Sequence, residues 1–192
     1  MLKRKAYDRL LEWKKNRNGK TALLIEGARR VGKSTLVEEF GRNEYASCLI
    51  VDFFQAPAEV RQYFEDYRTD FDTLFLYLST YYGVDLHERD TLIVFDEVQM
   101  FPTARGLLKY LVADGRYDYI ETGSLLSIKQ NVDGIVVPSE EESFELNPLD
   151  FEEFLWGMGE EKLVTLIRRQ FDCLKPLPDG LHRRAMGLLR EY

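Results

Sequence analysis

Two short stretches hold residues whose types and spacing can do chemistry. In the first, Ile25 to Thr35 (IEGARRVGKST), four residues separate Gly27 from Gly32, and Lys33 and Ser34 follow at once. Glycines allow successive backbone N–H groups to turn toward anionic oxygens, the lysine adds a positive charge, and the hydroxyl can ligate a cation. The second stretch, LIVFDEVQ, ends an apolar run with Asp96 and Glu97. Adjacent carboxylates of this kind can hold a metal shell and draw a proton from water.

The first stretch satisfies the P-loop pattern in full, and the elements around it are those the pattern needs. Thr21 to Ile25 reads as a strand and Ser34 to Phe40 as a helix stopped by Gly41. The expected phosphate-binding set is Gly27, Ala28, Arg29, Arg30, Val31, Gly32, Lys33, Ser34 and Thr35, with Lys33 reaching the β- and γ-phosphates of ATP. Ser34 and Asp96 are the expected Mg²⁺ ligands and Glu97 the base toward water. A base aimed at water favours ATP hydrolysis over phosphoryl transfer to a small molecule, whose substrate brings its own nucleophile. Thr122 and Ser124, in YIETGS, end another strand at the same edge, and one of them is expected to sense the γ-phosphate.

The remaining chain supplies the scaffold. Leu2 to Trp13 has helical spacing. Cys48 to Phe54, Thr91 to Phe95, Tyr117 to Thr122 and a weaker Ser143 to Leu146 read as strands. Between them Ala58 to Tyr67, Phe71 to Tyr82 and Thr103 to Ala113 read as helices. Strands alternating with helices predict an α/β fold with a parallel sheet. After Pro148 only helical periods remain, so the expected division is a core over residues 1–148 and a helical, lid-like segment over 149–192. The last helix reaches Tyr192 without a capping signal, which suggests a piece of something longer.

At 192 residues and a formal charge of −7, the chain fits one packed domain with a small appendage, and indiscriminate nucleic-acid binding is disfavoured. The pairs and triplets Lys3-Arg4-Lys5, Lys14-Lys15, Arg168-Arg169 and Arg183-Arg184 read as solvated helix faces. Cys48 and Cys173, far apart and outside any C-x-x-C pattern, read as reduced core thiols. No apolar run approaches the length of a membrane span, and the N-terminus lacks a signal-peptide core, so the expected location is the cytoplasm. His87 and His182 have no metal-ligand spacing around them.

Taken in order, GARRVGKSTL from Gly27, FDEVQ from Phe95, TGS from Thr122 and LNPLDFEEFLW from Leu146 resemble the AAA-type ATPases commonly fused to a DUF4143 C-terminal domain. The resemblance implies an AAA+ core with strand order 5-1-4-3-2, helices on both faces, and the roles given above for Lys33, Ser34, Asp96 and Glu97. It also implies a C-terminal domain beyond this chain, through which a nucleic-acid or protein partner would be met, and a homo-oligomer completed by an arginine finger. Arg105, Arg168, Arg183 and Arg184 are candidates for that arginine or for a lid sensor by location only. Arg30 departs from the Gln that relatives often carry at this variable position. Arg4 and Tyr7 are conjectural neighbours of adenine.

Two other functions stay open on the sequence. One is a nucleotide-gated binding module with little turnover, which the acidic loop Glu140-Glu141-Glu142 and the aromatics Phe151, Phe154 and Trp156 could serve, although aromatics at that spacing are more often core. The other is a helicase-like motor, suggested by DEVQ and TGS and disfavoured by chain length.

Overall fold

The computed structural model describes residues 3–124 and 141–192. Leu2, at the start of the expected first helix, and Glu140, in the acidic loop, lie outside the described residues. The elements run α1 (Lys5–Arg17), β1 (Ala22–Gly27), α2 (Lys33–Glu44), β2 (Ser47–Asp52), α3 (Ala58–Asp66), α4 (Phe71–Tyr82), β3 (Thr91–Asp96), α5 (Pro102–Asp114), β4 (Asp118–Ser124), β5 (Glu141–Glu145), α6 (Phe151–Gly157), α7 (Glu161–Asp172) and α8 (Asp179–Glu191). A single 3-10 turn, Val98–Met100, follows β3.

The five described strands are parallel, in the order β2-β3-β4-β1-β5, with helices on both sides. This is the expected 5-1-4-3-2 sheet. Every residue of β3 and β4 is buried, as the apolar run of β3 requires between two helical layers, and in β4 that burial extends to Asp118, Glu121, Thr122 and Ser124. On the β2–β3 side, Phe53, Phe64, Phe95 and Tyr119 pack with Leu74, Leu78, Leu108 and Leu111 from α4 and α5 in one core cluster. The Phe53 ring lies 5.5 Å from Phe64 and 5.6 Å from Phe95 in edge-on and tilted contacts that aromatic quadrupoles favour.

Some local expectations change. Gly41 does not stop α2, which continues three residues further to Glu44. A Cβ built on Gly41 would stand 2.3 Å from Cys48 Sγ and 2.9 Å from its Cβ, so this glycine is a packing residue that lets α2 lie on β2. β5 begins at Glu141, so the described part of the acidic loop is a strand end. Both thiols are free, but Cys173 is exposed at the end of α7, whereas Cys48 is half-buried and burial pushes its thiol up to about 11. Among the described residues no helix is long and apolar enough to cross a membrane.

The chain divides into two compact units, Arg9–Leu146 and a second made of Met1–Asp8 with Asn147–Tyr192. In the second, Asp150 caps α6 through a reciprocal box with Glu153. The buried Glu153 also takes Arg4 Nε at 3.3 Å, and Lys5 Nζ lies 2.6 Å from Asp150 and 2.7 Å from Glu152. Phe151 and Phe154, both half-buried, stack on one another and meet the exposed Tyr192, so they form a packed aromatic cluster of the helical unit.

Candidate nucleotide site

Because the strands are parallel, their C-terminal ends share one edge of the sheet, and there Gly27, Asp96 and Thr122 meet. β1 stops at Gly27, the loop 28–32 is exposed or half-buried, and α2 starts at Lys33. Gly32 caps α2 in a left-handed conformation (φ 96°) and, as glycine, brings no side-chain cap to the helix. The amides of its first turn, which includes Ser34 and Thr35, therefore face the loop with no acidic residue among them, the usual arrangement for an anion. Gly27 has a second constraint. A Cβ there would stand 2.4 Å from the Leu146 carbonyl oxygen, which passes directly over the loop's entry after β5.

Lys33 is buried, and its ammonium donates to the carbonyls of Gly27 (3.1 Å) and Ala28 (3.0 Å). Burial lowers this ammonium below the usual lysine range, against an upward pull from Glu97 and then Asp96, with Arg29 reinforcing the decrease. The lysine thus senses both carboxylates. Asp96, also buried, accepts the hydroxyl hydrogen of Thr122, and the same Thr122 oxygen accepts the Glu97 N–H at 3.3 Å. One hydroxyl therefore bridges two consecutive residues of β3 and its turn.

Glu97 itself is left-handed (φ 53°), a conformation that costs a non-glycine residue roughly 1–3 kcal/mol and that clusters at functional sites. Its carboxylate accepts Gln99 Nε2. Gln99 is buried, and its Oε1 has no partner among the described residues, leaving an acceptor beside Glu97 that a water could satisfy. This use of Gln99 was missed in the sequence, although its place three residues after Asp96 is the available signal. Arg30 is also left-handed (φ 64°). Ser124 is buried at the end of β4 and paired in register with Gly27, whereas the hydroxyl seen on Asp96 is that of Thr122.

The expected arginines fare differently. Arg105 is buried, with Nη2 3.0 and 3.2 Å from the two oxygens of Glu141, so it is no free finger. Arg168 and Arg184 lie on the surface and pair with Glu152 and Glu160. Arg4 is held by Glu153 and by the Asn147 carbonyl at 2.7 Å, which gives its guanidinium a structural use within the helical unit.

The residues fit a nucleotide with its metal. The uncapped α2 and the Lys33 ammonium suit phosphates, and Ser34 with Asp96 offers the hard oxygen ligands that Mg²⁺ prefers. No group of three or more His, Cys, Asp or Glu side chains able to hold a metal occurs among the described residues, so phosphate oxygens and water would complete its shell.

A parallel sheet with this strand order, a glycine loop leading into α2, and paired carboxylates at the end of β3 define an AAA-type P-loop domain. The chain belongs to the AAA domain family, whose sequence profile matches residues 19–155. No curated protein sequence matches it. Its fold is similar to the Aeropyrum pernix ORC1 protein solved in complex with DNA, with 15% identity, 84% of this chain, 50% of that chain and a TM-score of 0.52. It is also similar to Drosophila ORC bound to AT-rich DNA and Cdc6, with 12% identity, 97% of this chain, 74% of that chain and a TM-score of 0.50. This chain spans half the length of the Aeropyrum protein.

Proposed function

We propose that the chain binds ATP with Mg²⁺ and hydrolyses it, the nucleotide state moving the helical segment over 149–192 and a DUF4143-type domain beyond it. The observation that carries the reading is the Thr122 hydroxyl, which ties Asp96 and Glu97 together within electrostatic reach of Lys33. The α2 amides and Lys33 hold the phosphates, and Lys33 leaves its carbonyl partners to meet them. Ser34 and Asp96 hold Mg²⁺, which would offset the charge that develops on the phosphate oxygens. Glu97, fixed by its backbone and by Gln99, takes a proton from the attacking water. Thr122 orients the two carboxylates.

Turnover in the isolated chain is expected to be slow. Arg105 is committed to Glu141, and a missing arginine finger costs about 10³–10⁵ in rate. The finger is assigned to a neighbouring copy in a homo-oligomer. Tight binding with negligible turnover would make the chain a nucleotide-gated module. DNA is the partner named with the ORC1 and ORC relatives, and for this acidic chain it would have to be met through a local surface or the further domain.

The test is MgATP binding and phosphate release, measured together over a range of protein concentration. Lys33→Ala is expected to lose both. Glu97→Gln is expected to keep binding and lose release; unchanged release in Glu97→Gln would remove it as the base.

A further inference from the structure

Behind the candidate site lies a buried cluster that the proposed chemistry does not use. Glu121 on β4 is wholly buried, immediately before Thr122. Glu141 opens β5, and its side chain is 3% exposed. Arg105 on α5 covers both, with 5% of its side chain exposed. The guanidinium is shared unequally. Nη2 makes the two short contacts with Glu141, whereas Nε is 3.8 Å from the nearer Glu121 oxygen and has no hydrogen-bond partner among the described residues. Neither Glu121 oxygen takes a hydrogen bond from an N–H or hydroxyl group among the described residues, so the Glu141 carboxyl is what is left to it.

Two carboxylates against one guanidinium would leave an uncompensated buried charge, which proteins avoid by keeping a proton. Glu121 is the group that keeps it: desolvation holds its carboxyl well above the usual range, the charge of Glu141 pushes the same way, Arg105 opposes, and a carboxyl–carboxyl hydrogen bond with Glu141 raises Glu121 while lowering Glu141. Glu141 is raised by burial, against Arg105, and Glu26 on β1 adds to the rise. Leu24 and Phe95 flank Glu121 in the sheet register, and Glu26, two residues beyond Leu24 on the same face of β1, is the nearest acidic residue on that strand.

The cluster sits where two parts of the site are anchored. Glu121 and Thr122 face opposite sides of β4, so a displacement of one moves the other. β5, pinned at its start by Glu141, ends where the Leu146 N–H donates to the Glu26 carbonyl at 2.6 Å and the Leu146 carbonyl covers Gly27. We propose that Glu121 is a positioning residue: its carboxyl keeps a proton, shares it with Glu141 beneath Arg105, and so fixes Thr122 and, through β5, the entry to the glycine loop. The name given to that site rests on the ATPase reading, but the proposal concerns the apo protein.

Infrared spectroscopy of the apo protein tests the shared proton. A protonated-carboxyl stretch is expected at neutral pH, lost in Glu121→Gln. It is also expected to be lost in Glu141→Gln, where Glu121 can ionise as the sole partner of Arg105. Absence of the band in the unmodified protein, or its survival in Glu141→Gln, overturns the sharing. The amide resonance of Glu97, held by Thr122, reads the positioning. It is expected to shift as alkali removes the band, and not to shift in Glu121→Gln. An equal shift in that variant, or no shift in the unmodified protein, overturns the positioning role. Neither measurement uses nucleotide, so failure to bind ATP would sink the functional reading and leave this one to be decided separately. Stability gives a third readout. Because the folded-state pKa is raised, the contribution of Glu121 to stability falls as pH climbs above about 4.5, and the difference between the unmodified protein and Glu121→Gln is expected to shift in favour of the variant.

Discussion

Thr122 gives its hydroxyl hydrogen to the Asp96 carboxylate across the β3–β4 pair, and the same oxygen takes the Glu97 N–H. Thr122→Val keeps the shape and removes both bonds. A buried Asp96 left without its donor should cost about 1–3 kcal/mol in chemical denaturation, and phosphate release should drop with it. Thr122→Ser should restore both. If the valine variant releases phosphate at the normal rate, the hydroxyl bridge has no part in the chemistry.

Gln99 should show the opposite split. Gln99→Leu removes a buried acceptor that lacks a partner among the described residues, so denaturation stability should hold or rise. Phosphate release should nevertheless fall, with MgATP affinity nearly unchanged, because the Glu97 carboxylate loses the amide that fixes it. A parallel fall in stability and activity would argue against this separation.

How far the sequence could be read differs between residues. The buried strand Thr91–Asp96 and the glycine loop were legible because each rests on a local rule: an apolar run, and the backbone freedom a phosphate cradle needs. Gly41 was misread because a helix stop and a close packing contact call for the same residue type, and only the position of Cys48 separates them. Arg105 was placed among candidate fingers for want of any sign that Glu121 and Glu141, 20 residues apart, close on it from β4 and β5. The left-handed backbone of Glu97 likewise follows from the turn into Val98–Met100, which no periodicity announces.

Lys33 makes a prediction about pH. Its folded-state pKa is lowered, so the folded protein gives up the proton first, and its contribution to stability should improve as pH rises toward the ordinary lysine value of 10.5. The stability difference between Lys33→Met and the unmodified protein should therefore shift in favour of the unmodified protein between neutral and alkaline pH. A difference constant across that range would mean that the ammonium is not held unfavourably in the apo protein.

Gly41→Ala should destabilise the core unit by about 1–3 kcal/mol, since the added methyl overlaps Cys48. Adding Cys48→Ala should recover much of the loss, and a double-mutant cycle by denaturation measures the coupling. Simple additivity would place the strain elsewhere.

β5 is the outermost strand of the described sheet, and an outer strand offers its unpaired N–H and C=O groups to any chain that can lie alongside. Here that strand is only five residues long and reads Glu-Glu-Ser-Phe-Glu, with Glu145 exposed and Glu142 half-buried beside Arg17. Glu141 and Glu142 already pair with Arg105 and Arg17, so two copies approaching through this edge would set the exposed Glu145 carboxylates against the acidic edge of the other copy. The acidic composition of β5 thus guards the chain against growing into a continuous intermolecular sheet, a protection against aggregation separate from anything the strand does for the nucleotide site.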